Sequence, residues 1–341
     1  MIAVVKADAY GHGALPVTRA LLEAGCRRVA VSALEEALEL RGGGLEVPIL
    51  VLGGVRDAEE ARVVAERGLT PTVHGERDLE LCAAAASRAG VRLPVHVEVD
   101  TGMRRMGVPA AEAASLIEAS ARQPALLLEG VFTHFARADE TDLEPSLAQI
   151  AVFRRVLEAV RRRGIRAPLV HAANSAALLA GKALAEALPE ANAVRPGLML
   201  YGVSPAPHLE VDLRPAMRLS ARVVSVRRLR PGDGVGYGAR FRAQRATRLA
   251  TLPVGYADGV PLAASNRGAA LIRGRRMPFA GRVSMDYVCV DCGDETVAPG
   301  DEAVLFGEPG LGVDAAARAA DTMAYELLVR VGARVGREWV E

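Results

Sequence analysis

The chain has 341 residues, half of them hydrophobic and 24% charged, which is material for two domains and excludes a disordered polypeptide. Lysine plus arginine number 42 and aspartate plus glutamate 41, so no net field attracts nucleic acid or an anionic membrane. No apolar run approaches the roughly 18 residues of a transmembrane helix. Met1-Ile-Ala-Val-Val-Lys6 is too short for a signal peptide, so the expected compartment is the cytoplasm.

From the N-terminus to about residue 205, short β-branched runs alternate with runs of helical period. Strands are expected to begin near Ile2, Arg28, Pro48, Thr70, Pro94, Leu128, Pro168 and Ala193. The helical segments between them include Ala14–Glu23, Leu34–Leu40, Ala58–Glu66, Glu76–Ser87, Ala110–Ala121 and Leu143–Arg163. Eight strands alternating with helices imply a parallel sheet, and eight is the number that closes a (β/α)8 barrel of the TIM type. An open doubly wound sheet is the alternative. It expects a third glycine in register after Gly11-His-Gly13, and none is there.

After about Val211 the helical period fades. Strand-like runs appear at Leu219–Leu229, Arg248–Val254, Ala269–Ile272, Tyr287–Val290 and Glu302–Leu305, with one helix, Ala315–Arg330, capped near Val313-Asp314. The predicted class is therefore α/β: a barrel over residues 1–211, then a smaller, mostly β domain over 212–341. Arg273, Arg275 and Arg276 surround a glycine turn and read as the solvated end of a hairpin. Of the four cysteines, Cys26, Cys82, Cys289 and Cys292, the last two form a C-x-x-C in a strand-like segment. Residues three apart on a strand face opposite sides, so packed thiols are expected and no metal site.

In such barrels function collects at the C-terminal ends of the strands. Strand 1 ends at Lys6, strand 5 leads through Asp100-Thr-Gly-Met to Arg105, and strand 6 ends in Thr133-His134-Phe135. Strand 7 ends in His171-Ala-Ala-Asn174-Ser175, and strand 8 begins Val194-Arg195-Pro-Gly197-Leu198. A lysine after an apolar strand is either a snorkelling surface residue or an amine that desolvation turns into a nucleophile toward carbonyls. Tyr10 and Gly11-His12-Gly13 weigh toward the second, because glycines let backbone approach a ligand. Ser175, Gly197 and Leu198 lie where these barrels bind phosphate through hydroxyl and backbone N–H groups; Ser175 also reads as a helix N-cap. Taken singly, Tyr237 reads as a turn aromatic, His134 as a buried imidazole and Tyr256 as a hairpin residue.

Lys6-Ala-Asp-Ala-Tyr-Gly-His-Gly13 resembles the cofactor-lysine motif of the alanine racemase family. Asp100-Thr-Gly-Met-Arg-Arg-Met-Gly107, Thr133-His-Phe135, Ala173-Asn-Ser175 and Arg195-Pro-Gly-Leu-Met-Leu-Tyr-Gly202 resemble further motifs of that family. So do Gly236-Tyr-Gly238, Gly255-Tyr-Ala-Asp-Gly259 and Gly281-Arg-Val-Ser-Met-Asp286, all in the family's order across nearly the whole chain. The resemblance implies a barrel plus a β domain, working as a head-to-tail homodimer in which the partner's β domain completes each active site. It implies an isomerase that interconverts L- and D-alanine with pyridoxal 5'-phosphate and supplies D-alanine for bacterial cell-wall synthesis.

Carried over position by position, the resemblance makes Lys6 the Schiff-base lysine and one base, and Tyr237 of the partner subunit the opposite base. Arg195 would donate to the pyridine nitrogen, and Tyr10, Ser175 and the N–H groups of Gly197 and Leu198 would hold the phosphate. Arg105 and the backbone of Met285 would face the substrate carboxylate. His134 would orient Tyr237 and Arg195, and Tyr256 and Asp286 would line the entrance. Two bases on opposite faces suit inversion of a stereocentre. A tyrosine serves as a base only where positive charge stabilises its phenolate, a part assigned to Arg105 and His134.

Three departures from the family pattern stand out. The family has a strand and helix before the cofactor lysine, which here is residue 6, so the β domain is expected to lack an edge strand and strand 1 to expose apolar surface. Glu98 stands where many members carry a lysine that can be carbamylated, and is expected to be the anionic partner of Arg105. Ala333 stands where some members use a tyrosine to reach the phosphate. The competing readings are a serine or broader amino-acid racemase, a decarboxylase on a similar barrel, and a cofactor-binding protein of impaired activity.

Overall fold

The computed structural model describes residues 1–341 except Pro207, Glu210 and Glu341. The chain divides into two compact units. The first comprises 1–9, 13–200 and 204–212; the second comprises 10–12, 201–203 and 213–341.

The first unit is a parallel barrel. Its strands are β1 (Ala3–Val4), β2 (Val29–Val31), β3 (Ile49–Val51), β4 (Thr70–Val73), β5 (Leu93–Asp100), β7 (Leu126–Phe132) and β8 (Leu169–His171), hydrogen-bonded in that order; a short β6 (Val108–Pro109) joins the end of β5. Residues 193–196 supply the eighth stave: His171 bridges Ala193, and Val194 and Pro196 accept from the Ile2 and Val4 N–H groups at 2.8 and 2.9 Å. The strand starts lie within two residues of expectation, because the β-branched runs are short and bounded by turns. β2 and β3 are buried on both faces, as parallel strands must be when helices cover them outside and side chains fill the barrel inside. Ile2 and Ala3 are also buried, which corrects the expectation of exposed apolar surface at strand 1. The same two backbone bonds to 193–196 seal it.

The outer helices are Ala14–Glu23, Leu34–Gly42, Ala58–Glu66, Glu76–Ala89, Ala110–Arg122 and Glu144–Arg162, followed by the short Ser175–Leu179 and Lys182–Ala187. Their start signals are chemical. Asp57 Oδ1, for example, accepts from the Glu59 and Glu60 N–H groups at 2.9 Å each.

The second unit is antiparallel. β9 (Leu219–Arg222), β14 (Ala269–Ile272), β15 (Arg275–Pro278) and β17 (Glu302–Phe306) form one sheet in the order β15-β14-β17-β9. β10 (Ser225–Leu229), β13 (Thr247–Leu252) and β16 (Val288–Gly293) form another, and β11 (Gly234–Val235) pairs with β12 (Phe241–Arg242). The single strand expected over Leu219–Leu229 is two strands in two sheets. The chain changes sheet where Val223 N–H bonds Asp301 C=O and Val224 N–H bonds Thr251 C=O. The helix expected over Ala315–Arg330 is also two, Val313–Ala319 and Ala324–Val329, parted at Asp321, which takes φ 55°. The first is capped by the Gly312 backbone without a side chain, not at Val313-Asp314. Arg273-Gly274, both at positive φ, make the two-residue turn of the β14–β15 hairpin, and the exposed Arg273 and Arg275 pair with Asp301 and Glu295. Alternation on β16 leaves Cys292 buried and Cys289 half-buried on opposite faces. Among the described residues no helix is long and apolar enough to cross a membrane.

Candidate active site

β1 ends at Val4, and Lys6 opens a tight turn over Lys6–Gly11. Ala7, Asp8, Ala9 and Tyr10 take φ of 52°, 53°, 52° and 54°, four left-handed residues in a row. For L-residues each such step costs about 1–2 kcal/mol, so the loop must be held from outside. Glu36 Oε1 accepts from the Ala7 N–H at 2.6 Å, and Asp8 Oδ1 accepts from the Ala14 N–H at 2.6 Å. Glu36 Oε2 also accepts from the Ser32 and Ala33 N–H groups at 2.6 and 3.1 Å. One carboxylate thus ties the lysine loop to the start of the next barrel helix.

Lys6 is half-buried. Burial, then the nearby Arg105 guanidinium, lower its amine pKa, and Glu36 opposes them weakly. Arg195 is buried at 3% exposure, and among the described residues no carboxylate pairs with it. One terminal nitrogen donates to His171 Nδ1. The other donates to the Thr133 and Ala172 carbonyls at 2.8 and 3.2 Å and to His134 Nδ1 at 3.2 Å. Among the described residues none accepts from its Nε–H. The guanidinium carbon lies 4.7 Å over the Phe132 ring. Burial lowers even this group to about 10, against the pull of Glu98.

His134 is pushed down to about 3, by burial first and then by Arg195, Arg105 and Lys6. It is therefore neutral near pH 7, against the expectation that it contributes positive charge, and that part falls to Arg105. Gln149, from the helix Glu144–Arg162, fixes the His134 loop. Its Nε2 donates to the His134 carbonyl at 2.9 Å and to Thr101 Oγ1 at 3.1 Å, and its Oε1 accepts from the Ala136 N–H at 2.9 Å. Thr101 and Thr133 hydroxyls bond each other at 2.7 Å. Asp100 Oδ1 accepts from the Gly102 and Arg104 N–H groups at 2.9 and 3.1 Å, which turns the chain after β5 and leaves Arg105 exposed.

Glu98 does not meet Arg105. It is buried, with Oε2 3.1 Å from His74 Nδ1, close enough for an ion pair but off the line of a hydrogen bond. Ser175 Oγ accepts from the Gly197 and Met199 N–H groups at 2.8 and 3.3 Å and is buried. The helix N-cap is Asn174, whose Oδ1 accepts from the Ala177 N–H at 3.0 Å, so Ser175 is the first helical residue rather than the cap.

The remaining candidates belong to the second unit. The Tyr10 ring lies 4.9 Å from that of Tyr201 and 6.1 Å from that of Tyr325; burial, then Tyr325, raises its phenol pKa. The carbonyl of Gly11 accepts from Arg337 Nε and a terminal nitrogen at 3.1 and 3.0 Å. Tyr237 is 72% exposed, on a turn that positive φ at Gly236 and Gly238 makes possible. Tyr256 and Met285 are about half exposed. Gly255 is required between them, since a Cβ there would lie 2.2 Å from the Met285 carbonyl oxygen. Asp286 pairs with Arg334 at 2.8 Å, and Arg334 grips Asp258 through two bonds of 2.6 and 2.9 Å.

The structure thus couples Lys6, Arg105, His134 and Arg195 electrostatically at one end of the barrel. Sequence reasoning missed Glu36, His74, Gln149, Arg334 and Arg337. Gln149 could have been found: it is a polar residue on the buried face that also carries Ile150 and Phe153. Arg334 and Arg337 bond mainly to backbone and to acids far away in the chain, which no local pattern encodes.

Residues 1–205 match the family model "Alanine racemase, N-terminal domain", and residues 216–339 match "Alanine racemase, C-terminal domain". An alanine racemase from Desulfovibrio desulfuricans is 41% identical, over 99% of this chain and 90% of its own length. One from Thermobifida fusca is 42% identical, over 99% and 90%. Among solved structures, alanine racemase from Streptomyces lavendulae superposes with a TM-score of 0.92 at 38% identity, covering 98% of this chain and 88% of that one. Alanine racemase from Bacillus anthracis with bound L-Ala-P superposes with a TM-score of 0.88 at 34% identity, covering 98% and 86%.

Proposed function

Since the chain belongs to the alanine racemase family, we propose that it interconverts L- and D-alanine, with pyridoxal 5'-phosphate held on Lys6. The observation that carries this reading is the half-buried Lys6 amine at the mouth of the barrel, whose pKa burial and then Arg105 lower, which favours the nucleophilic form. Only a neutral amine attacks a carbonyl. The donor set fits the cofactor. Arg195 has an uncommitted Nε–H for a ring nitrogen, and the Ser175 hydroxyl lies beside the N–H groups of Gly197 and Met199, with Leu198 between them, for a phosphate. Tyr10 is carried as a further phosphate ligand.

When bound, pyridoxal phosphate supplies an electron sink that acidifies the Cα–H of an amino acid. Lys6 Nζ takes or returns the Cα proton on one face. The phenol oxygen of Tyr237 of the partner subunit does so on the other, in a head-to-tail homodimer; its 72% exposure leaves it available to a second copy. Arg105 and the backbone of Met285 bind the substrate carboxylate, and Tyr256 and Asp286 line the entrance. Neutral His134 positions Arg195 through its lone pair, not through charge. A guanidinium holds its proton, so Arg195 would donate to the ring nitrogen without protonating it. The barrel-plus-β-domain division near residue 211 follows this assignment of roles. In a bacterial cytoplasm the product would feed cell-wall synthesis.

The test incubates the purified protein with pyridoxal phosphate and L-alanine in D₂O, following loss of the Cα–H signal and appearance of D-alanine. Both are expected. Cofactor binding with neither change on alanine overturns the assignment, and activity on serine alone would redirect it. Exchange without inversion removes Tyr237 from the mechanism.

A further inference from the structure

A line of buried polar side chains runs from Arg195 back through the barrel interior. His171 Nδ1 accepts from Arg195, and His171 Nε2 lies 2.9 Å from His96 Nδ1. His96 Nε2 lies 3.1 Å from Glu129 Oε2, and Glu129 Oε1 accepts from Arg28 at 2.6 Å. His96 and His171 are buried at 1% and 0% exposure, while Arg28 is partly exposed. The backbone is shaped for this line. In the β5–β7 pairing Val95 faces Leu128 but His96 faces Gly130, so Glu129 is the extra residue of a bulge. A bulge re-aims a side chain, and here the carboxylate of Glu129 turns toward His96. Gly130 leaves room for the imidazole, since a Cβ there would lie 2.4 Å from His96 Nδ1.

The order of hydrogens along the line is determined. A guanidinium has donors only, so His171 Nδ1 must be a bare lone pair. A neutral imidazole then carries its hydrogen on Nε2 and donates to His96 Nδ1. His96 in turn carries its hydrogen on Nε2 and donates to Glu129, an acceptor when ionised. Burial lowers the pKa of both rings, most strongly for His171, so the line is read with both imidazoles neutral, and the bonds from His96 and Arg28 hold the Glu129 carboxyl below its ordinary range. Only one assignment satisfies every atom, and its two ends are charged: Glu129 pulls hydrogens one way and Arg195 pushes them the same way.

We propose that Glu129, His96 and His171 form a polarity-locked relay of positioning residues, which presents a lone pair to Arg195 and so fixes the guanidinium that faces the cofactor ring. The proposal rests on the role given to Arg195 above, but the order of hydrogens can be read whether or not the chain is a racemase. Groups that orient a binding side chain without touching the ligand typically change activity by about 10–100-fold when removed.

The experiment is ¹⁵N NMR on the full chain labelled at its six histidines, joined to kinetics of two variants. In the native protein His96 and His171 should both show the neutral tautomer protonated at Nε2. His96→Gln keeps an acceptor and a donor at imidazole-like spacing, and should retain kcat within about threefold while His171 keeps its tautomer. His96→Leu strips both, and should lower kcat about 10–100-fold with the alanine KM within about twofold. Either imidazole found charged or protonated at Nδ1 overturns the relay, even if no variant folds. A folded His96→Leu with native kcat removes its positioning role. Equal losses for Gln and Leu reduce it to packing.

Discussion

Replacing Glu36 with alanine should loosen the lysine loop. The carboxylate accepts three backbone N–H groups, two at the start of the helix Leu34–Gly42 and one from Ala7. The helix-start pair resembles a cap and is worth about 0.5–2 kcal/mol. The Ala7 bond adds about 1 kcal/mol, since Glu36 is only half-buried. The sum is about 1.5–3 kcal/mol, or about 3–12 °C in Tm for a unit of this size. Glu36→Gln keeps one acceptor oxygen and should lose about half as much. Where Ala7 is released, the left-handed run can relax. If about 1.4 kcal/mol of that order is then restored by the ligand, the affinity of Lys6 for pyridoxal phosphate falls about tenfold. The sign at Lys6 follows too. Glu36 is the group that raises its pKa, so its removal lets the amine fall further. Half-maximal reaction with an amine reagent should move to lower pH. Scanning calorimetry and a pH series of cofactor capture measure both effects. A Glu36→Ala protein melting within about 1 °C of native, with an unmoved capture profile, would refute the claim that this carboxylate holds the loop.

Ser175→Ala removes the acceptor of the Gly197 and Met199 N–H groups and one proposed phosphate ligand; cofactor titration should show affinity lower by about tenfold with the fold intact. Gln149→Leu strands the His134 carbonyl, the Ala136 N–H and Thr101, and should destabilise by about 2–4 kcal/mol in denaturant melts, with kcat falling more than the alanine KM rises. Burial alone would raise the Asp258 carboxyl, but the bonds from Arg334 and the Gly255 N–H outweigh it and hold it below the usual range. Its stabilisation is therefore present above the ordinary aspartate pKa and lost as pH falls through the depressed value. The Tm advantage of native protein over Asp258→Asn should be about 2–4 °C near pH 7, after discounting for the exposure of Arg334, and should vanish toward pH 2. A gap independent of pH would show that charge is not its source.

The parts of this molecule legible in sequence are those whose physics is local. Strand starts at Val29, Ile49 and Thr70 show as β-branched runs between turns, and Lys6, Ser175 and Arg195 lie in contiguous motifs next to strand ends. What was illegible depends on partners distant in the chain. Leu219–Leu229 reads as one strand because nothing in its composition says that Val223 and Val224 bond to Asp301 and Thr251 in different sheets. Asp321 looks like any helical polar residue until its φ of 55° is seen. Glu98 is expected at Arg105 from its charge and its place in the family pattern, yet β5 aims it into the barrel interior beside His74, while Arg105 lies beyond the turn that Asp100 makes. His96 and Glu129 show the same limit from the other side. A bulge, invisible in sequence, is what brings them together.

The electrostatics of the barrel mouth explain why the site's proton inventory takes the form it does. Three basic side chains and an imidazole crowd one end of the barrel, with Glu98 the buried carboxylate that pulls on Arg195. Repulsion among cations is relieved by the group that gives up its proton most readily. A guanidinium does so last, so Arg105 and Arg195 stay charged while His134 is neutral and Lys6 is pushed toward neutrality. The arginines therefore do two things at once. They leave fixed positive charge for an anionic cofactor and a carboxylate, and they add to burial in lowering the pKa of Lys6 and His134, which favours the forms that act as nucleophile or acceptor. Exchanging Arg105 for a neutral residue would weaken anion binding and raise the pKa of both Lys6 and His134, while exchanging Arg195 would raise that of His134; in each case the part of the shift due to burial would remain.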